Sequence, residues 1–170
     1  MLSEKLRKAL SDQINAEYYS AYLYLAMSAS AGKMGLKGTA TWFFAQAQEE
    51  MAHGTHIYQY VLERGMAPTF AAIDLPPTDY KDIQEIFELS LAHEQKVTRL
   101  INEIATIAMQ EHDHACYQFM MWFVTEQVEE EASVSDILDK LKLVGGNMLL
   151  TLDNELGTRV FVNPFPGQAG

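Results

Sequence analysis

The most constraining feature of the sequence is an acidic residue in the middle of each of four long helical patterns. In each pattern, apolar or small side chains recur every three or four residues, as on the buried face of an amphipathic helix. The residues that interrupt these faces are Glu17, Glu50, Glu94 and Glu130. His53 follows Glu50 by three positions, so the two side chains are neighbours on one helix. Burying such groups is costly unless they bind something or one another.

The apolar periodicity predicts four long helices and a short fifth helix. The expected ranges are residues 4–30, 39–63, 80–110, 115–143 and 148–156. Ser3 is a suitable N-cap for the first helix, and Asn147 is one for the fifth. Gly65 is suited to end the second helix, and Gly145-Gly146 to end the fourth.

The segment between the second and third helices, residues 66–79, constrains the topology. Its fourteen residues, with Pro68, Pro76 and Pro77, exceed what a tight turn between antiparallel neighbours needs. Extended, the segment spans about 45 Å, whereas the second helix, about 26 residues, is about 39 Å long. The segment can therefore cross the whole bundle and make the second and third helices parallel. This predicts an all-α four-helix bundle with one long crossover.

The charge balance bounds the class of partner. With 12 basic and 23 acidic residues, the net charge of −11 argues against a basic face for nucleic acid and favours multivalent cations. The lone Cys116 allows no internal disulfide and suggests a reducing compartment. The first residues lack an apolar signal core, and no uncharged run of about 18 apolar residues predicts a transmembrane helix. We expect a cytoplasmic protein without nucleic-acid or membrane partners.

The four acidic residues lie at matching heights in their helices and, together with His53, predict a polar layer inside the bundle. Four buried carboxylates would repel one another, and two divalent cations would neutralise them. Carboxylate oxygens with an imidazole suit iron or manganese and leave positions open for oxygen. The alternative for Glu50 and His53 taken alone is a surface pair, because such pairs are common on helices. The four helices read together favour the metal site.

The sequence also resembles the prokaryotic non-haem ferritins over nearly all of residues 1–157. The segments that carry the resemblance are Asn15-Ala16-Glu17-Tyr18-Tyr19-Ser20, Ala47-Gln48-Glu49-Glu50-Met51-Ala52-His53, Glu94 and Thr125-Glu126-Gln127-Val128-Glu129-Glu130-Glu131. The resemblance implies a ferritin-like diiron domain over residues 1–157 and a C-terminal tail over residues 158–170.

The resemblance further implies a ferroxidase centre for two iron ions. The first ion would be bound by Glu17, Glu50 and His53. The second would be bound by Glu94, Glu50 and Glu130, with Glu50 as the bridge. Gln127 would contact the centre or its bound oxygen, and Tyr24 matches the tyrosine that the family has beside the iron pair. Trp122 matches a nearby tryptophan.

The resemblance also implies a third iron site, formed by Glu49, Glu126 and Glu129, with Glu130 shared between this site and the pair. The alternative for these three residues is a solvated acidic face. Since the run Glu129-Glu130-Glu131 repels itself, it needs cations or water nearby.

The function implied by the resemblance is iron storage with ferroxidase activity. O2 or peroxide would accept the electrons of Fe(II), and the Fe(III) product would be stored in a hollow homo-oligomer of about 24 subunits. Met51 matches the haem-binding methionine of bacterioferritins, but those proteins carry a second Glu-x-x-His where this chain has Gln127 and Glu130. No haem is therefore expected. The alternatives are a cage subunit without oxidase activity and a detoxifying oxidase that stores little iron.

Overall fold

The protein is all-α, as the sequence predicts. The computed structural model describes residues 2–143 and 148–165. In these ranges the helices are α1 (Glu4–Lys33), α2 (Lys37–Glu63), α3 (Ile83–Gln110), α4 (His114–Leu143) and α5 (Leu149–Leu156). The expected break at Gly145-Gly146 and the expected cap at Asn147 lie outside the described residues. None of the described helices combines the length and apolarity needed to cross a membrane.

The helices form two antiparallel pairs, α1 with α2 and α3 with α4, and the pairs meet where α1 packs against α3. Short turns join each pair, with Gly35 and His112 at positive φ angles of 84° and 56°. The starts of α2 and α3 lie together, because the rings of Phe43 and Phe87 are 4.9 Å apart. Ile57, later in α2, shares a core cluster with Ile101, later in α3. The two helices are therefore parallel, and the long crossover is confirmed.

The segment that connects α2 and α3 runs along α1, and hydrogen bonds join its backbone to side chains of α1. The side-chain amide of Asn15 donates to the carbonyl oxygens of Ala71 and Ala72, each at 3.2 Å. The hydroxyl of Ser11 accepts from the amide of Thr69 at 3.1 Å. These contacts satisfy backbone groups of a segment that has no regular structure of its own.

Two apolar clusters fill the bundle, one on each side of its midpoint. One contains Tyr24, Phe43 and Phe87, and the other contains Leu10 and Phe123, all of them almost fully buried. Burying each such large side chain contributes about 1.5–3 kcal/mol. Each of the four acidic residues of the sequence pattern lies between the two clusters along its own helix. The apolar packing therefore fixes how far apart the four acidic side chains are.

The short helix α5 caps the start of α2. The position before α2, Leu36, provides no side-chain hydrogen bond. Instead, the carboxylate of Asp153 accepts from the amides of Gly38 and Thr39 at 3.0 and 2.7 Å and from the Thr39 hydroxyl at 2.8 Å. A Cβ on Gly38 would lie 1.6 Å from the Asp153 carbonyl oxygen, so only glycine permits this approach. An anion at a helix N-terminus is favourable, and Leu152 and Leu156 are buried beside it.

We expect Asp153→Ala to destabilise the protein by about 1–3 kcal/mol, because it leaves buried donors without an acceptor. The matched control is Glu155→Ala, which removes an exposed carboxylate of the same helix that pairs with Lys140. Chemical denaturation of the two variants should give a clearly larger loss for Asp153→Ala. Equal losses would contradict the capping role.

Candidate metal centre

One carboxylate from each long helix meets at the middle of the bundle. Glu17 on α1, Glu50 on α2, Glu94 on α3 and Glu130 on α4 are 1%, 3%, 1% and 5% exposed. His53 on α2 is buried with them at 2%. The polar layer predicted from the four interrupted faces is therefore present, and solvent is almost wholly excluded from it.

On one side of this layer, the structure brings Glu17, Glu50 and His53 together. One ligand atom from each lies within 4.8 Å of the others. His53 Nδ1 is 3.5 Å from a Glu50 carboxylate oxygen. Glu17 Oε2 and His53 Nε2 are buried without a hydrogen-bond partner among the described residues. Because an unsatisfied buried polar atom is costly, these atoms are suited to bind a cation.

On the other side, Glu94 is held by the two residues that the resemblance placed beside the iron pair. The hydroxyl of Tyr24 donates to Glu94 Oε1. The side-chain amide of Gln127 donates to Glu94 Oε2 at 3.1 Å and to the Glu94 carbonyl oxygen at 3.3 Å. Both residues are buried and thus orient a carboxylate in the layer.

The second expected ligand set is less compact than the first. Among the described residues, Glu50, Glu94 and Glu130 do not form a group whose ligand atoms all lie within 4.8 Å. The amide of Gln46 donates to Glu50 Oε1 at 3.1 Å and to Glu130 Oε2 at 2.8 Å, so it stands between these two carboxylates. The Gln46 amide group thus lies between two carboxylates, at a position where a cation would also be stabilised.

Besides Gln127, two buried glutamines among the described residues belong to the site, and neither was singled out from the sequence. Gln13 donates to Glu17 Oε1 at 2.7 Å, and Gln46 donates to Glu50 and Glu130. Each glutamine precedes an acidic residue of its own helix by four positions, which places the two side chains on one face. That spacing is the signal in the sequence that could have found them.

The three residues expected at a third site are not all brought together. Glu49, His53 and Glu126 form a second group with ligand atoms within 4.8 Å of one another. Glu129 is exposed and lies outside this group. Arg159, from the segment after α5, binds Glu49 with its guanidinium 2.6 Å from a carboxylate oxygen. Arg159 could not be placed here from the sequence, because the segment that contains it has no periodic pattern.

Aromatic side chains and a glycine shape the region around His53. The rings of Trp122, Phe123 and Phe165 lie 5.5, 5.8 and 6.1 Å from the imidazole, so the tryptophan expected near the centre is there. A Cβ on Gly54 would lie 2.6 Å from the ring of Tyr18 and 3.3 Å from the Cβ of Glu17. Glycine at this position therefore lets α1 approach α2 closely beside the carboxylates.

Residues 7–144 match the family model described as a ferritin-like domain. The chain belongs to the ferritin family. It is 43% identical over 163 residues to a bacterial non-heme ferritin of Staphylococcus aureus (strain MRSA252), covering 95% of this chain and 98% of that protein. A probable bacterial non-heme ferritin-like protein of Haemophilus influenzae is 41% identical over 159 residues, with 92% and 96% covered.

Solved ferritin structures share the fold. The crystal structure of an open pore ferritin from the archaeon Archaeoglobus fulgidus matches with a TM-score of 0.92 and 46% identity. The match covers 94% of this chain and all of that one. The four-helix bundle with a short C-terminal helix is therefore the ferritin fold.

The electrostatics of this ferritin's buried layer favour protons when no metal is bound. Burial raises the pKa of Glu17, Glu50 and Glu130 well above the ordinary value, and neighbouring carboxylates raise each pKa further. The pKa of Glu94 is also raised, chiefly by burial. Burial and the nearby Glu94 raise the pKa of Tyr24, so its hydroxyl keeps its proton and remains a donor. Metal ions that bind here must displace protons from the carboxyl groups.

The same shifts predict how stability depends on pH in the iron-free protein. In the unfolded chain Glu50 ionises near its ordinary pKa of about 4.3, whereas the folded chain keeps the proton to higher pH. The folded state therefore loses stability relative to the unfolded state as pH rises above that value. Glutamine cannot ionise. We expect Glu50→Gln to stabilise the iron-free protein at pH 8, because it removes an ionisation that burial and the neighbouring carboxylates disfavour in the folded state.

The stability difference between Glu50→Gln and wild type should shrink as pH falls toward 5, because a larger fraction of the unfolded wild-type chains then carries a proton on Glu50. Denaturation of iron-stripped protein at the two pH values measures it. Glu63→Gln, an exposed change on the same helix, is the control and should have little effect at either pH. A Glu50→Gln protein that is less stable than wild type at pH 8 would contradict the electrostatic account.

Proposed function

We propose that this ferritin binds two Fe(II) ions in its buried layer, oxidises them, and passes the Fe(III) product to a stored mineral. Iron is the substrate and the cargo. The observation that carries the proposal is the pair of orphaned atoms, Glu17 Oε2 and His53 Nε2, in a buried cluster with Glu50. A buried carboxylate oxygen and a buried imidazole nitrogen without a hydrogen-bond partner among the described residues fit a site for a cation such as Fe(II), which carboxylates and imidazoles both bind.

Charge balance supports two ions for the layer. The four buried carboxylates carry a formal charge of −4 when ionised, and two Fe(II) ions together carry +4. Glu17, Glu50 and His53 would bind one ion. Glu94, Glu50 and Glu130 would bind the other, once the Gln46 amide turns away from between Glu50 and Glu130. Oxidation raises the total metal charge to +6, which four carboxylates no longer offset. This imbalance favours release of the product or its neutralisation by oxygen anions.

The proposed reaction takes one electron from each ion. With O2 as the acceptor, two Fe(II), one O2 and two protons give two Fe(III) and one H2O2. With peroxide as the acceptor, two Fe(II), one H2O2 and two protons give two Fe(III) and two waters. Hard carboxylate oxygens favour Fe(III) over Fe(II) and so favour the oxidation. Tyr24 and Gln127 would hold Glu94 in position during this change, because both donate to its carboxylate.

We further propose that a third iron site lies beside the pair, at Glu49 and Glu126 with Glu129 at its rim. The grouping of Glu49 and Glu126 with His53 supports this position. Glu129 is exposed and would be the weakest ligand of the three. Glu130, a ligand of the pair, is one position from Glu129, so iron leaving the pair would meet these carboxylates next.

Storage needs a cavity, which a single bundle lacks, and we propose a homo-oligomeric cage of about 24 subunits. The relatives from Archaeoglobus fulgidus are described as open pore and closed forms, words that apply to an enclosed assembly. Exposed apolar side chains of this chain, among them Met148 and Leu150 at 55% and 69%, would be covered in such a cage. We expect no haem and a cytoplasmic location.

The decisive experiment is an anaerobic Fe(II) titration followed by addition of O2. We expect Glu50→Ala and Glu94→Ala each to abolish fast Fe(II) oxidation while the cage still assembles. Each change removes a ligand but also removes a buried charge from a repulsive cluster, so the fold should tolerate it. Glu63→Ala, an exposed change on α2, is the control and should oxidise Fe(II) at the wild-type rate. Normal oxidation in both Glu50→Ala and Glu94→Ala would refute the assignment.

The third site makes a separate prediction. Glu49→Ala and Glu129→Ala should keep the fast oxidation of the pair but change the Fe:O2 ratio and slow later turnovers. The effect should be larger for Glu49→Ala, because Glu49 belongs to the compact group and Glu129 does not. Crystals soaked anaerobically in Fe(II) should contain three iron positions in wild type and two in Glu49→Ala. Two positions in wild type, with unaltered stoichiometry in the variants, would leave these residues as a solvated acidic face.

A further inference from the structure

The segment after α5 crosses the site instead of leaving the bundle. Asp153 of α5 is bound at the start of α2, Arg159 contacts Glu49 near the middle of α2, and Phe165 stacks on His56 at 3.8 Å. Phe165 also packs against Trp122 at 4.6 Å. Residues 159–165, the C-terminal strap, therefore lie beside the proposed third iron site: Arg159 contacts Glu49, and the ring of Phe165 is 6.1 Å from that of His53.

Arg159 is held at this place by two different interactions. Its guanidinium is 2.6 Å from Glu49 Oε2 and lies over the ring of Trp42, 4.4 Å from the ring centre. The two charged side chains are only 24% and 18% exposed, so solvent screens the pair less than it would on an open surface. A guanidinium does not lose its proton in proteins. The strap thus brings a permanent positive charge to the carboxylates.

The charge of Arg159 reaches beyond Glu49. It lowers the pKa of Glu126 and of Glu130, opposing the increase that burial causes in both. Its charge therefore acts on three carboxylates, on Glu49 by direct contact and on Glu126 and Glu130 from farther away. These are ligands of the proposed third site and, for Glu130, of the iron pair. The guanidinium of Arg159 therefore already binds a carboxylate that, in the proposed function, would bind an iron ion.

Glu49 cannot serve both cations equally well. It belongs to the compact group with His53 and Glu126, and it also accepts from Arg159. An iron ion of charge +2 or +3 in that group would be repelled by the guanidinium on the same carboxylate.

We propose that Arg159 competes with iron for Glu49, so that the C-terminal strap closes the third iron site and is released when iron binds there. The inference rests on the proposed function and adds a positioning role for Arg159, which acts on iron through Glu49. Linkage makes the effect reciprocal. If iron loosens the strap, loosening the strap must strengthen iron binding by the same factor. The strap would thereby delay transfer of iron out of the pair until enough iron is present to displace Arg159.

The test compares wild type with Arg159→Gln, which keeps a polar side chain, though a shorter one, and loses the charge. In the assembled full-length protein, anaerobic Fe(II) titration should show third-site binding that is tighter by at least roughly 5-fold, the low end of common coupling strengths. The affinity of the pair for Fe(II) should change much less. Arg159→Lys keeps the charge and should restore most of the wild-type behaviour.

Hydrogen–deuterium exchange of the strap amides gives a readout that does not depend on oxidation. In wild type, anaerobic Fe(II) should accelerate exchange in residues 160–163. In Arg159→Gln, exchange there should be fast before iron is added and change little afterwards. Lys140→Gln is the control for charge removal, because Lys140 pairs with the exposed Glu155 and does not contact the site. It should match wild type in both measurements.

The outcomes separate this inference from the proposed function. Fe(II) bound at the pair with equal third-site affinity in wild type and Arg159→Gln would overturn the inference and leave the ferroxidase proposal standing. So would the lack of a third iron in both proteins. Failure of Fe(II) to bind at the pair in any of them would overturn the proposed function itself. If Arg159→Gln does not assemble, Phe165→Ala loosens the other end of the strap and should also tighten third-site binding. Unchanged binding in that variant would refute the inference.

Discussion

The structure depends on burying four carboxylates and an imidazole between two apolar clusters. In water these groups would be solvated, and in the bundle they are at most 5% exposed. The penalty is lowered by partners on the same helices, since Gln13 and Gln46 each donate to an acidic residue four positions on. It is lowered again by protons, because burial raises the pKa of the acidic groups. Among the unsatisfied buried atoms of the described residues, Glu17 Oε2 and His53 Nε2 are the carboxylate oxygen and imidazole nitrogen that a cation could bind.

The two halves of the layer are not equivalent. The half formed by Glu17 and His53 has ligand atoms without partners, whereas in the other half Glu94 already accepts from Tyr24 and Gln127. Gln46 also bridges Glu50 and Glu130 there. A cation entering the first half gains unsatisfied ligands, but one entering the second must replace hydrogen bonds. Donors in the second half thus limit carboxylate repulsion in the iron-free protein while keeping the oxygens close together.

Helical periodicity was enough to predict five helices within about three residues at each end, because each long helix buries a continuous apolar face. The length of the segment after Gly65 was enough to predict the crossover. In the sequence, Gln13 and Gln46 are marked only by their spacing of four positions from Glu17 and Glu50, and that spacing alone does not show that the amides are buried. The cap at Asp153 could not be predicted, since its partners Gly38 and Thr39 are 115 and 114 positions away. Arg159 lies in a segment without periodicity, so only the three-dimensional structure relates it to Glu49.

The cap at Asp153 explains how a segment without regular structure finds the site. Asp153 fixes the end of α5 at the first turn of α2, and the chain then follows α2 toward its middle. From Thr39 to His56 the helix rises about 25 Å, a distance that the residues between Asp153 and Phe165 cover easily when mostly extended. The cap therefore sets the register that brings Arg159 beside Glu49 and Phe165 beside His56. Gly38 belongs to the same arrangement, because a side chain there would push Asp153 away and shift every later contact of the segment.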